Sequence, residues 1–145
     1  MDRDNYYSVV SFSSLPTSSD CVVFAMDESK DGIYIDFIRR REAHWRSHNF
    51  DTTTIGSYGP FLDTAIFLDG AFFCVDHHGN VGVFSTKDTS WKVEPHEIKE
   101  PHEIYVNDSS PGFLVECGGD LLLVKLEYDE KPIRILNLVS LLWNG

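Results

Sequence analysis

A repeating plan of four short β-rich runs constrains the fold of this chain more than any single motif. The clearest unit covers residues 65 to 93, where apolar runs alternate with turns at Asp69-Gly70 and His78-Gly79 and end at Trp91. The preceding stretch follows the same plan and carries Trp45, 46 residues before Trp91. No segment has the sustained 3.6-residue apolar period of a helix. The sequence therefore predicts an all-β chain.

A period of about 40 to 50 residues with four strands per unit is typical of the blades of a β-propeller. A single blade cannot bury both of its faces, so neighbouring blades have to stack to make a core. We therefore predict an all-β, partial β-propeller of about three four-stranded antiparallel blades. An N-terminal segment (1–19) would precede the incomplete propeller (20–145), with blade-like units at about 20–50, 62–95 and 111–145. A β-sandwich with two tryptophans spaced by coincidence is the alternative.

Turn chemistry and the alternation of apolar and polar residues predict where the strands lie. The predicted strands are Cys21–Ala25, Ile33–Ile38, His44–Ser47, Ala65–Leu68, Phe72–Val75, Val81–Phe84, Trp91–Val93, Gly112–Glu116, Leu121–Leu126 and Ile133–Leu138. Some residues are expected to be structural positions of the repeat, and they are Trp45, Trp91, Gly70, Gly79, Gly82, Phe84, Gly118 and Gly119. The turn glycines supply a residue able to take a positive φ angle.

The number of units raises the question of how such a ring closes. Closed propellers usually have four to eight blades, whereas this length holds about three units. We expect an open ring or part of a longer protein. The second reading is favoured because the apolar run Leu141–Trp143 leads into Asn144-Gly145, a turn signal with no returning strand. The end blades of such a half-ring would expose their apolar faces.

The charge of the chain argues against nucleic acid as a partner. The formal net charge is −11, from 23 acidic and 12 basic side chains, so a phosphate backbone would be repelled. From Glu94 to Glu130 there are ten carboxylates and only Lys99 and Lys125 to balance them. A solvated surface that keeps the protein soluble accounts for this acidity. The run Arg39-Arg40-Arg41 is likewise interpreted as a solvated strand end.

Three cysteines and the apolar runs indicate the compartment. The cysteines are far apart in the sequence, at Cys21, Cys74 and Cys117. An odd number of cysteines without short spacings fits buried free thiols and argues against a disulfide framework or a zinc site. The first twenty residues contain no apolar stretch of signal-peptide length, and no run is long enough to span a membrane. We expect a cytoplasmic or nuclear protein with no membrane partner.

Two near-identical pieces, Pro95-His96-Glu97-Ile98 and Pro101-His102-Glu103-Ile104, are the most suggestive metal-ligand candidates. A metalloprotease helix needs two histidines four residues apart, and the prolines here oppose a helix. An inter-blade loop is the favoured interpretation, and a small metal-binding protein is a weaker alternative. Cys117 has no histidine placed by a motif to activate it, so a buried thiol is predicted there. We predict no catalytic residue, no cofactor and no metal site, and we do not expect an enzyme.

Three stretches resemble the plant F-box-associated, kelch-like β-propeller family: Leu15–Val23, Leu68–Trp91 and Phe113–Val124. The resemblance covers about residues 12 to 145, and the Asp-Gly, Gly-Asn and Gly-Val-Phe elements before Trp91 are its most specific part. It implies a non-enzymatic protein-interaction module. In that family the propeller is thought to hold a target protein while an F-box docks to a Skp-type adaptor of a cullin ubiquitin ligase. The contact surface would be the loops at the ends of the blades.

This sequence departs from the family pattern before its first repeat. Only about twenty residues stand before Cys21, and this segment does not have the helical pattern of an F-box. A Skp-type adaptor is therefore not expected as a partner of this chain, and the sequence does not identify the target protein. A truncated relict with no independent function is the alternative.

Overall fold

The computed structural model describes residues 7–29, 32–51, 61, 64–76, 80–94, 112–126 and 133–137, with side chains described up to residue 124. Its strands are β1 (Val9–Phe12), β2 (Val22–Ser29), β3 (Gly32–Arg39), β4 (Arg46–Phe50), β5 (Ile66–Leu68), β6 (Ala71–Val75), β7 (Val81–Ser85), β8 (Ser90–Glu94), β9 (Gly112–Cys117), β10 (Asp120–Leu126) and β11 (Ile133–Asn137). No helix occurs among these residues. The predicted all-β class is confirmed.

The strands form three antiparallel meanders, in which each strand pairs with the next one along the chain. β1 to β4 make the first sheet, β5 to β8 the second, and β9 to β11 the third. The hairpin of β2 and β3 is typical, since its register runs from Val22↔Arg39 to Ser29↔Gly32 without a break. Short apolar runs separated by turn residues predict such local pairing, because consecutive strands usually lie side by side.

The second sheet lies between the other two and is buried on both faces. Strand β6 shows this most clearly, because every residue from Ala71 to Val75 is buried. Phe72 and Cys74 belong to the core shared with the first sheet, and the other three residues belong to the core shared with the third. A strand covered on both faces is a continuous apolar run, which explains why this segment shows no apolar–polar alternation.

Aromatic rings join the first sheet to the second. Phe24 of β2 stacks on Phe72 of β6, with ring centroids 4.6 Å apart and planes 14° from parallel. Phe84 of β7 has its ring centroid 5.8 Å from that of Phe24 and 5.6 Å from that of Phe37 in β3. Aromatic pairs of this kind stabilise a core by about 0.5–1.5 kcal/mol beyond the burial of their area. These rings therefore link two sheets that share no hydrogen-bonded strands.

Aliphatic side chains join the second sheet to the third. The residues of this core are Ala71, Phe73, Val75, Val81, Leu114, Leu121 and Leu123. The first strands of successive sheets are also neighbours, because β1 contacts β5 and β5 contacts β9. Twisted antiparallel sheets that stack face to face, with their first strands together, have the arrangement of propeller blades around a central axis.

The first sheet begins earlier than the sequence predicted. Residues 1–19 were expected to lie outside the blades, whereas Val9–Phe12 forms β1 and pairs with β2. Only Val9 of this strand is buried, while Val10 and Phe12 are half exposed. Serines follow this segment, and its apolar and polar residues alternate over too few positions to predict a strand. Its pairing with β2 decides its conformation.

Strand β4 lies later than predicted, at Arg46–Phe50 instead of His44–Ser47. Its inward positions are Arg46, His48 and Phe50, which pair with Phe37, Ile35 and Ile33 of β3. Two of these inward residues are polar, so the usual sign of a core-facing strand is weak in this segment. The third sheet contributes three described strands, where four were predicted.

Candidate functional site

Loops of the first two sheets gather at one end of the stack. They are the loops 13–21 and 40–45 of the first sheet and the turns 69–70 and 86–89 of the second. In an antiparallel meander the first and third connections lie at the same end, which brings these loops together. Hydrogen bonds link them, since Arg39 Nη2 donates to the carbonyl of Thr86 (3.5 Å) and Thr86 Oγ1 donates to the carbonyl of Gly70 (3.4 Å). We call this surface the loop face.

The loop 40–45 is held in place by the loop 13–21. The backbone N–H of Arg40 donates to the carbonyl of Cys21 (2.9 Å), and its guanidinium Nη1 donates to the carbonyl of Pro16 (3.0 Å). Glu42 closes the other end of the loop, because its carboxylate accepts a hydrogen bond from Nε of Arg46 at 3.1 Å. A loop held by such bonds loses little conformational freedom when a partner binds.

Arg41 has an unusual backbone within this loop. Its φ angle is 77°, in the left-handed region that side chains other than glycine and asparagine rarely adopt. Such a conformation costs on the order of 1–3 kcal/mol and persists only where the surroundings hold it. Strained residues of this kind concentrate at ligand-binding sites. Arg41 is also exposed, so the strain fixes how a basic side chain is presented to solvent.

The loop face carries exposed charges of both signs and an exposed apolar side chain. Its exposed charged residues are Arg40, Arg41, Lys87, Asp20, Asp69 and Asp88. Leu15 is 75% exposed and precedes Pro16, whose carbonyl binds Arg40. Arginine is enriched at protein interfaces, and an exposed apolar side chain next to it supplies area that a partner can bury. The chemistry of this surface suits a segment of another protein that pairs with charges of both signs and buries an apolar side chain.

Three of the predicted structural positions meet on the first-sheet side of the second sheet. The indole of Trp91 in β8 covers Gly82 of β7 so closely that a Cβ there would lie 2.7 Å from Cζ2 of Trp91. Phe84 is fully buried beside them and packs against rings of the first sheet. Gly82 is therefore required by the close approach of the indole, and Trp91 and Phe84 form the inter-sheet core.

Trp45 lies outside this cluster. It directly precedes β4 and is 48% exposed. Ser47 and Asn49 of β4 lie on the side of the first sheet that faces away from the second sheet. Because side chains alternate between the two sides of a strand, Trp45 belongs to the same side as these two residues. Trp91 also lies on the side of its sheet that faces the preceding sheet. The two tryptophans thus share an orientation, but only Trp91 has a described sheet packed against it.

The glycines predicted in turns occupy left-handed backbone wherever the structure describes them. Gly70 has a φ angle of 81°, and Gly118 and Gly119 have φ angles of 60° and 88°. Glycine adopts these angles without strain, so it shapes the β5–β6 and β9–β10 hairpins. Gly79 lies outside the described residues.

The three cysteines do not share one environment. Cys21 and Cys74 are buried free thiols, but Cys117 is exposed, which corrects the prediction of a buried thiol there. Cys117 shares a strand face with Phe113 and Val115, whereas only the opposite face of β9, with Leu114, packs on the second sheet. Burial, with a smaller contribution from the nearby Glu28, raises the pKa of the Cys74 thiol far above its usual value. Cys74 is therefore protonated and is not a nucleophile.

Two carboxylates lie close together where the first and second sheets meet. Oε1 of Glu28 in β2 accepts a hydrogen bond from the backbone N–H of Phe61 (2.9 Å). Asp76 is fully buried and accepts hydrogen bonds from the backbone N–H and the side-chain amide of Asn80, both at 2.8 Å. Burial raises the pKa of Glu28 above its usual value of 4.5. The hydrogen bond from Phe61 lowers this pKa, and the negative charges of Asp76 and Asp27 raise it further.

The raised pKa of Glu28 predicts a pH dependence of stability that the variant Glu28→Gln removes. An acid whose pKa is higher in the folded state contributes stability below its unfolded pKa and loses it as pH rises through the folded pKa. The amide of glutamine still accepts the bond from Phe61 and does not ionise. We expect the free energy of unfolding of the native chain, minus that of Glu28→Gln, to fall as pH rises from about 4 to about 8. Urea unfolding of both proteins across this range measures it, and a difference that stays constant or increases contradicts the prediction.

The sequence candidates for metal ligation lie outside the described residues. These are His96, Glu97, His102 and Glu103. Within the described ranges no three His, Cys, Asp or Glu side chains are grouped so that they could hold a metal ion. The same ranges contain no helix with the length and apolar character needed to cross a membrane.

The stacked meanders and their adjoining first strands define the class of protein, a β-propeller. The family description "KIB1-4 beta-propeller" matches residues 1–141, and the chain belongs to this family. The resemblance inferred from the sequence is thereby confirmed. No solved structure matches the chain significantly.

Two curated relatives come from Arabidopsis thaliana. The chain is 28% identical to F-box/kelch-repeat protein At1g57790 over 145 aligned residues, which cover 95% of this chain and 39% of that protein. It is 27% identical to F-box/kelch-repeat protein At3g18720 over 118 residues, which cover 79% of this chain and 30% of that protein. The chain therefore spans less than half the length of both relatives.

Proposed function

We propose that this chain is a non-enzymatic protein-binding module and that its loop face contacts the target protein. The loop face is the observation that carries the proposal. It presents exposed charged and apolar side chains from loops that are hydrogen-bonded to one another and supported by packed sheets. Binding residues concentrate on loops that a rigid scaffold positions in this way.

The charge of the surface suggests the chemistry of the target. The loop face exposes Arg40, Arg41 and Lys87 together with Asp20, Asp69 and Asp88. A target with a complementary arrangement of both signs of charge is favoured, because complementary charges fix the register of an interface. Leu15 adds an exposed apolar contact on the same surface.

We further propose that this binding selects targets for a plant ubiquitin ligase, in the cytoplasm or the nucleus. The support is the kinship with two F-box/kelch-repeat proteins, whose names pair an F-box with repeats of this kind. The matching region is 30% to 39% of their length, so the rest of each relative has room for other functional parts. We do not expect a Skp-type adaptor to bind residues 1–145 directly.

Affinity purification from plant cells, with residues 1–145 as bait, tests the loop face. We expect at least one protein that the native chain captures and that Leu15→Glu and Arg41→Glu each deplete about tenfold or more, since about 1.4 kcal/mol is tenfold in affinity. Lys92→Glu is the matched control, because it reverses an exposed charge on β8, away from the loop face. The purified target should then bind the native chain with the same ranking of variants.

The ligase role has its own test. A version of the chain with an F-box grafted before residue 1 should recover a Skp-type adaptor together with the same target, and the target should become ubiquitylated. Recovery of the adaptor by the ungrafted chain would contradict the proposal that residues 1–145 do not bind the adaptor directly.

The loop face is contradicted by a different result. If no captured protein responds to Leu15→Glu or Arg41→Glu, the loop face is not the binding surface.

A further inference from the structure

The loop 13–21 is rich in hydroxyl side chains, and some of them are free. Ser13 and Ser18 use their hydroxyls in hydrogen bonds, with the backbone of β2 and with a side chain of the same loop. The others are exposed, and their hydroxyls form no hydrogen bond within the part of the chain that the structure describes; they are Ser14, Thr17 and Ser19. Exposed serine and threonine hydroxyls are the groups that protein kinases modify.

Thr17 lies at the tip of a β-turn. The backbone N–H of Ser18 donates to the carbonyl of Leu15 (2.9 Å), so Pro16 and Thr17 are the two central residues of the turn. The loop lies between β1 and β2 and contributes no ladder pair to the first sheet. An enzyme can therefore take hold of this turn without opening the sheet.

An acidic residue three positions after Thr17 distinguishes its hydroxyl from the other two free hydroxyls of the loop. Asp20 is exposed, and the hydrogen bond from Ser18 lowers its pKa, so it is an anion at neutral pH. The residues three positions after Ser14 and Ser19 carry no charge. Kinases select their substrates by such patterns of charge, and an acid at this spacing is the pattern of acid-directed Ser/Thr kinases.

Arg40 is placed to bind a phosphate group on Thr17. Its Nη1 donates to the carbonyl of Pro16 (3.0 Å), and this carbonyl belongs to the peptide group that joins Pro16 to Thr17. A guanidinium has five N–H donors, and no carboxylate in the described ranges forms an ion pair with Arg40. The remaining donors are free for phosphate oxygens, with which arginine forms strong and often bidentate hydrogen bonds.

We propose that Thr17 is a phosphorylation site and that its phosphate pairs with Arg40 and blocks the binding of a target to the loop face. An acid-directed kinase transfers the γ-phosphoryl group of ATP to Oγ1 of Thr17. The bond from Oγ1 to the γ-phosphorus forms, and the bond from that phosphorus to the β–γ bridging oxygen breaks. ADP leaves, and the hydroxyl proton passes to the base of the kinase. The blocking effect rests on the proposed function.

The position of the phosphate beside Leu15 explains why binding is lost. Leu15 is the first residue of the same β-turn and is the exposed apolar contact of the loop face. The phosphate carries a charge of about −1.5 to −2 at pH 7, of which Arg40 balances only a part. A target that covers Leu15 has to remove water from this charge as well, which is costly. The phosphate also occupies a cation that the target needs.

Incubation of residues 1–145 with ATP and casein kinase II, an acid-directed Ser/Thr kinase, tests the site. Mass spectrometry should locate a phosphate on Thr17, and Asp20→Asn should slow its addition about tenfold or more. The amide oxygen of asparagine still accepts the bond from Ser18, so the loop keeps its conformation. Asp69→Asn is the matched control, because it removes an exposed carboxylate from a different loop and should leave the rate unchanged.

The site has two contradicting outcomes. A chain that acquires no phosphate on Thr17 overturns the proposal. Equal phosphorylation of Ser14, Thr17 and Ser19 also overturns it, because exposure alone would then decide which hydroxyl reacts.

Phosphorus-31 NMR of the phosphorylated chain tests the pairing with Arg40. A nearby cation favours the doubly charged form of the phosphate, so the phosphate should titrate at a lower pH in the native chain than in Arg40→Gln. Lys92→Gln is the control, because it removes an exposed cation from β8, away from the loop face, and should leave the titration unchanged. Equal titration in the native chain and in Arg40→Gln excludes the pairing.

Affinity purification with unmodified and phosphorylated baits tests the blocking effect. A protein whose capture depends on Leu15 and Arg41 should be recovered about tenfold less by the phosphorylated chain. The variant Thr17→Val, treated with the same kinase and ATP, should recover it in full. Equal recovery by both native baits overturns the blocking effect. If no captured protein depends on Leu15 and Arg41, the proposed function and the blocking effect fail together. Site mapping and phosphorus-31 NMR need no target and still decide whether Thr17 is phosphorylated and paired with Arg40.

Discussion

Replacing Phe72 with alanine is expected to lower the free energy of unfolding by about 3–5 kcal/mol. Phe72 is fully buried in β6, and its ring stacks on Phe24 of β2 with centroids 4.6 Å apart. No backbone hydrogen bonds of a shared ladder join these two sheets, so a cavity at this point removes much of what holds them together. Urea unfolding followed by tryptophan fluorescence measures the change.

The control for this substitution is Leu15→Ala, which removes a similar apolar side chain from a position that is 75% exposed. Exposed substitutions usually change stability by no more than about 0.5 kcal/mol. Small domains have only about 5–15 kcal/mol in total, so Phe72→Ala should leave a protein that is folded but marginal. Equal effects of the two substitutions would contradict the view that the stacked faces of the sheets form the core.

Replacing Gly82 with alanine is expected to destabilise the chain by about 1–3 kcal/mol, although alanine is only one methyl group larger. The indole of Trp91 occupies the space that the new Cβ needs, with Cζ2 at 2.7 Å. The indole cannot move freely, because it is buried in the core and packs edge-on against Phe61 with centroids 5.8 Å apart. The midpoint of urea unfolding should fall while the slope stays unchanged.

A double-mutant cycle with Trp91→Leu shows whether the indole is the cause. Nε1 of Trp91 is buried without a hydrogen-bond partner among the described residues, so leucine removes ring volume and no hydrogen bond. In the Trp91→Leu background, Gly82→Ala should cost about 1 kcal/mol less than in the native chain, since the two residues are in contact. If Gly82→Ala lowers the free energy of unfolding equally in both backgrounds, the backbone of β7 and not the indole is the cause of the destabilisation.

The sequence predicted the strands that carry strong apolar or turn signals. The second sheet is the best example, because its apolar runs are separated by Asp69-Gly70 and by the polar turn 86–89, and all four strands lie where they were expected. Local pairing is enough to specify such a meander. Strand β1 and the position of β4 were predicted less well, because their residues are partly polar or exposed and their backbone is ordered by pairing with β2 and β3.

The functional surface was predicted only in outline. Loops at the ends of the blades were expected to be the contact surface, but the arginine run 39–41 was interpreted as a solvated strand end. The strained φ angle of Arg41 and the bond from Arg40 to Pro16 depend on two loops that are more than twenty residues apart in the chain. No local pattern in the sequence encodes that contact, so only the folded chain shows it.

The sequence by itself determined the all-β class, the repeat of small antiparallel sheets and the family, because hydrophobic periodicity and turn residues act over a few neighbouring positions. The tertiary structure decided which sides of those sheets are covered. Phe73 and Phe113 are both phenylalanines in β-strands, yet Phe73 is buried and Phe113 is half exposed. The difference arises because the second sheet has a neighbour on each side, whereas among the described residues the third sheet has one on a single side, and burial depends on that neighbour and not on the residue.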